Sequence, residues 1–131
     1  MRRQDWNMRF AEFARSRASM PFEWGKNDCC LFAADCVAAM TDVDPAAEMR
    51  GYSTALAANR LVHAEGGLQA MATRFLGVPV SPKFAAVGDV VLLENEGRQL
   101  LGVCNGTSVV GPGPDGLAVL SMEAAAAAWK V

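Results

Sequence analysis

The chain has 131 residues, of which 52% are hydrophobic and 20% charged, and its formal net charge at pH 7 is −2. This length and composition are typical of one globular domain with its own core, which excludes a disordered chain. The slight acidic excess argues against nucleic acid as a partner, because nucleic-acid-binding domains usually carry a strong basic excess.

The sequence also lacks the apolar segments that membranes and export require. No apolar run is long enough for a membrane helix, and Asp5, Asn7 and Arg9 interrupt the apolar core that a signal peptide would need. We therefore expect a single domain over residues 1–131 that is made in the cytoplasm without a signal peptide and has no membrane partner.

The spacing of the four cysteines argues against a metal centre. They are Cys29, Cys30, Cys36 and Cys104. They form no Cys-x-x-Cys pair and have no histidine partner at zinc-binding spacing, and two adjacent cysteines are a poor basis for a disulfide framework. We expect free thiols, no metal and no cofactor.

Four helices are predicted in the first half of the chain. The first begins at an Asp5 cap and ends near residues 16–19, before Pro21. The third begins at a Ser53 cap and runs to about Ala64, where two glycines stop it. The fourth carries an apolar stripe at helical spacing, formed by Leu68, Met71, Ala72, Phe75 and Leu76.

The second helix starts immediately before the first cysteine. Asn27 and Asp28 are good N-cap residues, and an apolar pattern at helical spacing follows them to about residue 40. That pattern consists of Cys29, Phe32, Ala33, Cys36, Val37 and Met40. Cys29 would lie in the first turn, where unpaired backbone N–H groups and the helix dipole favour a thiolate. Cys29 is therefore a candidate nucleophile, with burial in the core as the alternative and as the expected role of the other three cysteines.

Short apolar runs separated by glycine turns predict strands in the second half of the chain. The predicted strands cover Val90–Leu93 and residues 99–105, 108–110 and 117–120. The Gly/Pro-rich residues 111–116 are expected to form an irregular loop, and the alanine run after Ser121 a short C-terminal helix that ends at Trp129. Helices first and strands second predict an α+β fold with N-terminal helices packed on a C-terminal antiparallel sheet.

A cysteine nucleophile gains from a general base within hydrogen-bond reach. His63 is the only histidine in the chain, so it is the one candidate for the base of a Cys–His pair. The alternative for His63 is a surface side chain that interacts with the last carbonyls of its helix. Trp24 is expected either to line a substrate groove or to pack in the core. Asp28 is expected to be a helix cap first and a substrate-binding residue second.

Several of these motifs occur together in one known family. They are Trp24-Gly25, Asp28-Cys29, Gly88-Asp89-Val90-Val91 and the strand Leu101-Gly102-Val103. In this order they resemble the NlpC-type branch of papain-like cysteine peptidases. The resemblance implies a papain-like fold in which Cys29 is the nucleophile of an amidase or endopeptidase that cuts peptides of bacterial peptidoglycan.

The segment Arg50-Gly51-Tyr52 and the late tryptophan narrow the resemblance to small proteins of bacteriophages and prophages. It implies a bacterial cytoplasmic origin, a final location in the virion tail tip, and a tail-tip or hub protein and peptidoglycan peptides as partners. The sequence departs from the family at Leu100, which aligns with the catalytic histidine. The alternative function is therefore a non-catalytic structural or wall-binding component of a tail tip, and a thiol-based redox or binding module is a third.

Overall fold

A computed structural model describes residues 1–131 and contains four helices followed by a five-stranded antiparallel sheet. The helices are α1 (Trp6–Arg17), α2 (Cys29–Thr41), α3 (Ala55–Ala64) and α4 (Leu68–Leu76). The strands are β1 (Val90–Asn95), β2 (Arg98–Cys104), β3 (Ser108–Gly113), β4 (Gly116–Ser121) and β5 (Ala125–Trp129), with short 3-10 turns at Pro82–Phe84 and Met122–Ala124. The predicted α+β class, with helices N-terminal and the sheet C-terminal, is confirmed.

Helix α2 packs on the sheet through the apolar face that its sequence predicts. Its N-cap is Asp28, whose carboxylate accepts the N–H of Leu31 at 2.9 Å. The core-facing side consists of Phe32, Ala33, Cys36, Val37 and Met40. These side chains share one hydrophobic core with α4 and with the near face of the sheet, so the first turn of α2 lies at the edge of that core.

The strands are ordered β4-β3-β2-β1-β5. Val90 of β1 lies opposite Val103 on one side and opposite Trp129 on the other, which fixes which side chains face α2. Because side chains alternate along a strand, a second apolar cluster forms on the far face of the sheet. It contains Val91, Leu93, Cys104, Val109 and Ala128.

The predicted C-terminal helix is wrong, because the alanine run forms strand β5 beside β1. Alanine has the highest helix propensity, but tertiary context overrides propensity here. Val80 and Ala128 exchange two backbone hydrogen bonds on the outer side of β5, at 2.7 and 3.1 Å. Trp129 at the end of the strand is completely buried. Pairing on both sides and burial of this indole outweigh the helical preference of the alanines.

The predicted irregular loop over residues 111–116 is also wrong, because β3 extends to Gly113 and β4 begins at Gly116. Proline is tolerated in a strand where the ladder needs no donor from it. Pro112 lies opposite Leu117, and Leu117 donates its N–H away from β3, to the carbonyl of Ala18. The Pro112–Leu117 pair is therefore not a hydrogen-bonded pair, and the missing N–H leaves the ladder intact.

Two predicted caps differ in detail. The cap of α3 is Thr54 rather than Ser53, since the Thr54 hydroxyl accepts the N–H of Ala57 at 3.1 Å. Asp5 occupies the N-cap position of α1, but its carboxylate accepts from the Arg9 guanidinium instead of a backbone N–H.

The buried carboxylate of Asp89 joins the two ends of the chain immediately before β1. It accepts the N–H groups of Ala86 and Val131 at 2.9 and 3.0 Å. It also pairs with the Arg2 guanidinium at 3.0 Å and with the Lys130 ammonium. Asp89 therefore holds the first and the last residues of the chain against the turn before β1.

No helix of the structure combines the length and the apolar character needed to cross a membrane.

Candidate functional site

A cleft of about 380 Å³ is lined by residues of α2, α3 and α4 and by the loop before α2. All four site residues predicted from the sequence line it, namely Trp24, Asp28, Cys29 and His63. Of its 25 lining residues, 19 are hydrophobic, so the cleft is mainly apolar with a few polar groups. Ligand pockets in proteins usually have this character and a volume of about 300–1,000 Å³.

Cys29 is the first residue of α2 and is only half-buried. The neighbouring thiol of Cys30 lowers the pKa of Cys29, and the backbone N–H groups of Leu101 and Cys30 act in the same direction. Burial and the negative charge of Asp28 oppose this effect without reversing it. Since the thiolate is the nucleophilic form of cysteine, Cys29 has the environment of a reactive thiol.

The other cysteines have the opposite character. Hydrogen bonding to Cys29, followed by burial, raises the pKa of Cys30. Burial raises the pKa of Cys36 to about 12. Cys104 is buried on the far face of the sheet, where its sulphur accepts the N–H of Gly106 at 3.4 Å. These three thiols stay protonated or inaccessible at neutral pH, so Cys29 is the one cysteine suited to nucleophilic attack.

Backbone donors are available beside the Cys29 sulphur. The N–H of Phe32 is bonded to the carbonyl of Asp28, and the N–H of Leu31 to its carboxylate. The N–H groups of Cys29 and Cys30, which precede them in the same first turn, have no backbone acceptor. Free N–H groups at a helix start can stabilise the oxyanion that forms when a thiolate attacks a carbonyl.

Asp28 is a buried carboxylate held by neutral donors. Its two oxygens accept the N–H of Leu31 at 2.9 Å, the N–H of Gly25 at 3.0 Å and the hydroxyl of Tyr52 at 2.5 Å. Its side chain makes no salt bridge, so its charge is balanced by hydrogen bonds alone. The expectation that Asp28 caps the helix is confirmed, and the three donors also fix the loop and the tyrosine that border the cleft.

The backbone at position 25, directly after Trp24, requires glycine. Its φ is +78°, and a Cβ at this position would lie 2.0 Å from the carbonyl oxygen of Tyr52. Glycine therefore allows the loop before α2 and the segment before α3 to touch. Trp24 is 39% exposed and packs edge-on against Phe22, with ring centroids 4.9 Å apart. It forms a wall of the cleft rather than part of the core.

Tyr52 is a site residue that the sequence did not identify. Burial, and then the hydrogen bond to Asp28, raise the pKa of its phenol, so it stays a donor at neutral pH. The charges of Cys30 and Cys29 also raise the pKa of this phenol, so Tyr52 lies close to the two thiols of the cleft. Its sequence signal was that it is the only tyrosine in the chain and follows the Arg50-Gly51 pair.

A chain of ion pairs fixes the segment that carries Tyr52. Arg17 of α1 donates to Asn27 at 2.8 Å and to Asp35 of α2 at 2.6 Å. Arg50 donates to the same Asp35 at 2.5 Å and to Asp44 at 2.7 Å. Hydrogen bonding to Asp44 raises the pKa of Arg50 and holds the pKa of Asp44 below its usual range. The segment between α2 and α3 is thus tied to α2.

His63 lies at the exposed C-terminal end of α3 and lines the cleft. Its side chain forms no hydrogen bond, either with the Cys29 sulphur or with the last carbonyls of α3, whose Leu61, Val62 and His63 oxygens accept backbone N–H groups instead. The structure therefore brings the candidate nucleophile Cys29 and the only imidazole to one cleft without joining them in a dyad.

Strand β2 provides no base on the side of the cleft. Leu100 aligns with the catalytic histidine of the NlpC-type peptidases, but its side chain packs on the far face of the sheet. The residue that faces Cys29 from β2 is therefore not Leu100. The side chain of Leu101 faces α2 and is buried, and Gln99 on the same face lines the cleft. The polar side chain that β2 contributes to the cleft is the amide of Gln99.

The fold and site together define a small α+β protein with a half-buried cysteine at a helix start, beside an apolar cleft. A family model described as a domain of unknown function (DUF6950) matches residues 1–131, so the chain belongs to this family. A comparison with curated proteins gives no match.

Proposed function

We propose that the protein is a thiol-dependent hydrolase that cleaves amide bonds in cell-wall peptides, with Cys29 as the nucleophile. The observation that supports this most directly is the position of Cys29. It is the one cysteine with a lowered pKa, and it lines the cleft. A reactive thiol at a helix N-terminus inside a ligand-sized pocket is the usual arrangement for covalent catalysis.

In this mechanism the Cys29 thiolate attacks the carbonyl carbon of the substrate amide. The free N–H groups of Cys29 and Cys30 stabilise the oxyanion. The amine leaves after it accepts a proton, and water then hydrolyses the thioester and restores the thiol. His63 is the candidate proton carrier, because it is the only histidine and lines the same cleft. Gln99 lines the cleft and is a candidate donor to a bound carbonyl.

The wall peptide and the phage setting come from the resemblance to NlpC-type peptidases and to small phage proteins. In that setting the domain acts in a virion tail tip, attached to a hub protein, and opens peptidoglycan as the tail crosses the wall. The Trp-Gly and Asp-Cys motifs support this proposal, since Gly25 and Asp28 both position the first turn of α2.

The test incubates the protein with purified peptidoglycan and measures the amino groups that amide hydrolysis releases. We expect cleavage by the wild-type protein, none by Cys29→Ala, and at least about a hundredfold less by His63→Ala if His63 is the base. Cys104→Ala is the matched control, because Cys104 lies outside the cleft. Intact peptidoglycan with folded wild-type protein contradicts the hydrolase.

The second candidate is a non-catalytic wall-binding component of the tail tip. It is favoured by one observation, which is that no histidine is hydrogen-bonded to Cys29. This function predicts that the protein sediments with insoluble peptidoglycan, that Cys29→Ala leaves this binding unchanged, and that no amino groups are released.

A further inference from the structure

The cleft has few ionisable groups, and none of them carries a permanent positive charge. They are Asp28, Cys29, Cys30, Tyr52 and His63. No lysine or arginine lines the cleft. Arg50, which precedes Tyr52 by two residues, is engaged with Asp35 and Asp44 outside the cleft. Arg74, between the lining residues Ala72 and Phe75, is engaged with Glu48 and Glu65.

Small apolar side chains contribute much of the lining of the cleft. Four alanines from three helices line it, namely Ala33, Ala34, Ala58 and Ala72. They are buried, as are the larger lining side chains of Leu68, Met71 and Val90. Because an alanine side chain is a single methyl group, these positions leave room for the cleft of about 380 Å³ that Cys29 also lines.

An anionic group would be poorly accommodated there. A carboxylate in the cleft would lose its hydration without gaining a lysine or arginine partner. It would also approach the negative charge of Asp28. That charge is stabilised by three hydrogen bonds from neutral donors and is not paired with a cation. An uncharged aliphatic group, by contrast, gains free energy from every methylene that leaves water.

We propose that the cleft selects substrates with an uncharged aliphatic acyl group, whose chain lies along the alanine-lined floor while its carbonyl carbon reaches the Cys29 sulphur. This inference rests on the nucleophile of the proposed function and specifies the acyl side of its substrate. In a wall peptide, it places an uncharged aliphatic residue, rather than an acidic one, on the acyl side of the cleaved bond.

The acylation step can be followed with p-nitrophenyl esters. The Cys29 thiolate attacks the ester carbonyl, a carbon–sulphur bond forms, and the carbon–oxygen bond to p-nitrophenolate breaks with its electron pair on the leaving oxygen. Water then cleaves the thioester, which gives the carboxylic acid and the free thiol. The burst of p-nitrophenolate measures the first step, and mass spectrometry locates the acyl group.

The experiment compares p-nitrophenyl acetate, hexanoate, octanoate and mono-adipate, with each rate divided by that of N-acetylcysteine. We expect octanoate to acylate Cys29 at least about tenfold faster than acetate, because its chain is buried. We expect the adipate ester, whose chain resembles that of hexanoate but ends in a carboxylate, to react at least about tenfold slower than hexanoate.

Neighbouring residues of α3 provide a matched pair of variants. Ala58→Leu fills the cleft and should reduce the octanoate-to-acetate ratio by about tenfold, whereas Ala57→Leu, outside the cleft, should leave it unchanged. Ala34→Leu on α2 replaces Ala58→Leu if thermal unfolding shows that the latter does not fold.

The outcomes separate the inference from the proposed function. A chain-length series without a trend, or an adipate ester as fast as hexanoate, overturns the acyl selectivity while Cys29 remains the nucleophile. No acylation of Cys29 by any ester overturns the nucleophile and the inference with it.

Discussion

Two buried aspartates differ in what balances their charge. Asp28 precedes α2 and Asp89 precedes β1, and both are almost inaccessible to solvent, at 1% and 0% exposure. Asp89 is paired with two cations, Arg2 and Lys130, in addition to its backbone donors. Asp28 has only neutral donors. Its negative charge acts on Cys29, where it partly offsets the lowering of the thiol pKa that the hydrogen bond with Cys30 causes.

The difference separates a structural carboxylate from one that acts on the site. The charge of Asp89 is balanced locally, so its effect is to hold the two ends of the chain against β1. The charge of Asp28 is not balanced by a cation, so it influences the neighbouring thiol and any ligand in the cleft. Substitutions at the two aspartates and at their partners test this contrast, and the expected loss of stability decreases from Asp89 to the surface ion pairs.

Replacing Asp89 with alanine should have the largest effect on stability. Removing one partner of a buried ion pair typically costs about 3–5 kcal/mol, and here two cations and two N–H groups lose their acceptor. The free energy of unfolding in urea measures this loss. Asp115→Ala, in the exposed turn between β3 and β4, is the control, and an Asp89→Ala loss as small as that of the control contradicts the clamp.

Replacing Asp28 with asparagine should lower the free energy of unfolding by less than Asp89→Ala does, and it should change the pKa of the Cys29 thiol. The side-chain oxygen of asparagine can still cap α2, whereas a donor now faces Gly25 or Tyr52, so we expect a loss of about 1–3 kcal/mol. Because the negative charge disappears, the pKa of Cys29 should fall, and its alkylation should begin at lower pH. A shift of the alkylation profile to higher pH would mean that Asp28 does not act on the thiol by its charge.

Removing the hydroxyl of Tyr52 tests the same carboxylate from its partner's side. Tyr52→Phe deletes one of three donors to a buried charge, and hydrogen bonds to charged groups contribute about 1.5–3 kcal/mol. We expect a loss at the low end of that range, since two donors remain. A double-mutant cycle with Asp28→Asn measures the coupling, and strictly additive losses would show that the two side chains do not interact.

The smallest expected effect is on the exposed ion pair of Asp44 and Arg50. The pKa of Asp44 is lowered by the hydrogen bond from Arg50, so the folded state gains stability above the ordinary carboxyl pKa of 3.8 and loses it as the pH falls through the lower folded value. Because solvent reaches the pair, we expect only about 0.5 kcal/mol. Wild type should exceed Asp44→Asn by this amount at pH 6 and match it in strong acid; an equal gap at both pH values contradicts the assignment.

Much of the fold follows from local sequence patterns. The Asp28 cap and the apolar face of α2 are local features, so the helix that carries Cys29 was predicted with its correct start. The strand β5 and the extended β3–β4 hairpin could not be predicted in this way. The alanines before Trp129 and the Gly-Pro-Gly of β3 are strands only because partners distant in sequence, Val80 and Ala18 among them, complete their hydrogen bonds.

The site was predictable only in part for the same reason. Trp24, Asp28 and Cys29 lie within one short stretch, and a single histidine left one choice for a base. The contribution of Tyr52 depends on a contact between two loops, which Gly25 permits through its lack of a side chain. The apolar character of the cleft depends on how α3 and α4 pack beside α2, which no local pattern specifies.

The reactivity of Cys29 is tested most directly by the pH profile of iodoacetamide alkylation of the folded protein, with each modified cysteine identified by mass spectrometry. We expect Cys29 to react first, with an apparent pKa below the ordinary thiol value of 9.0, and Cys30 and Cys36 to react only at much higher pH or after unfolding. The selectivity should disappear in denaturant. Equal reactivity of all four cysteines, or an unreactive Cys29 in the folded protein, would contradict it.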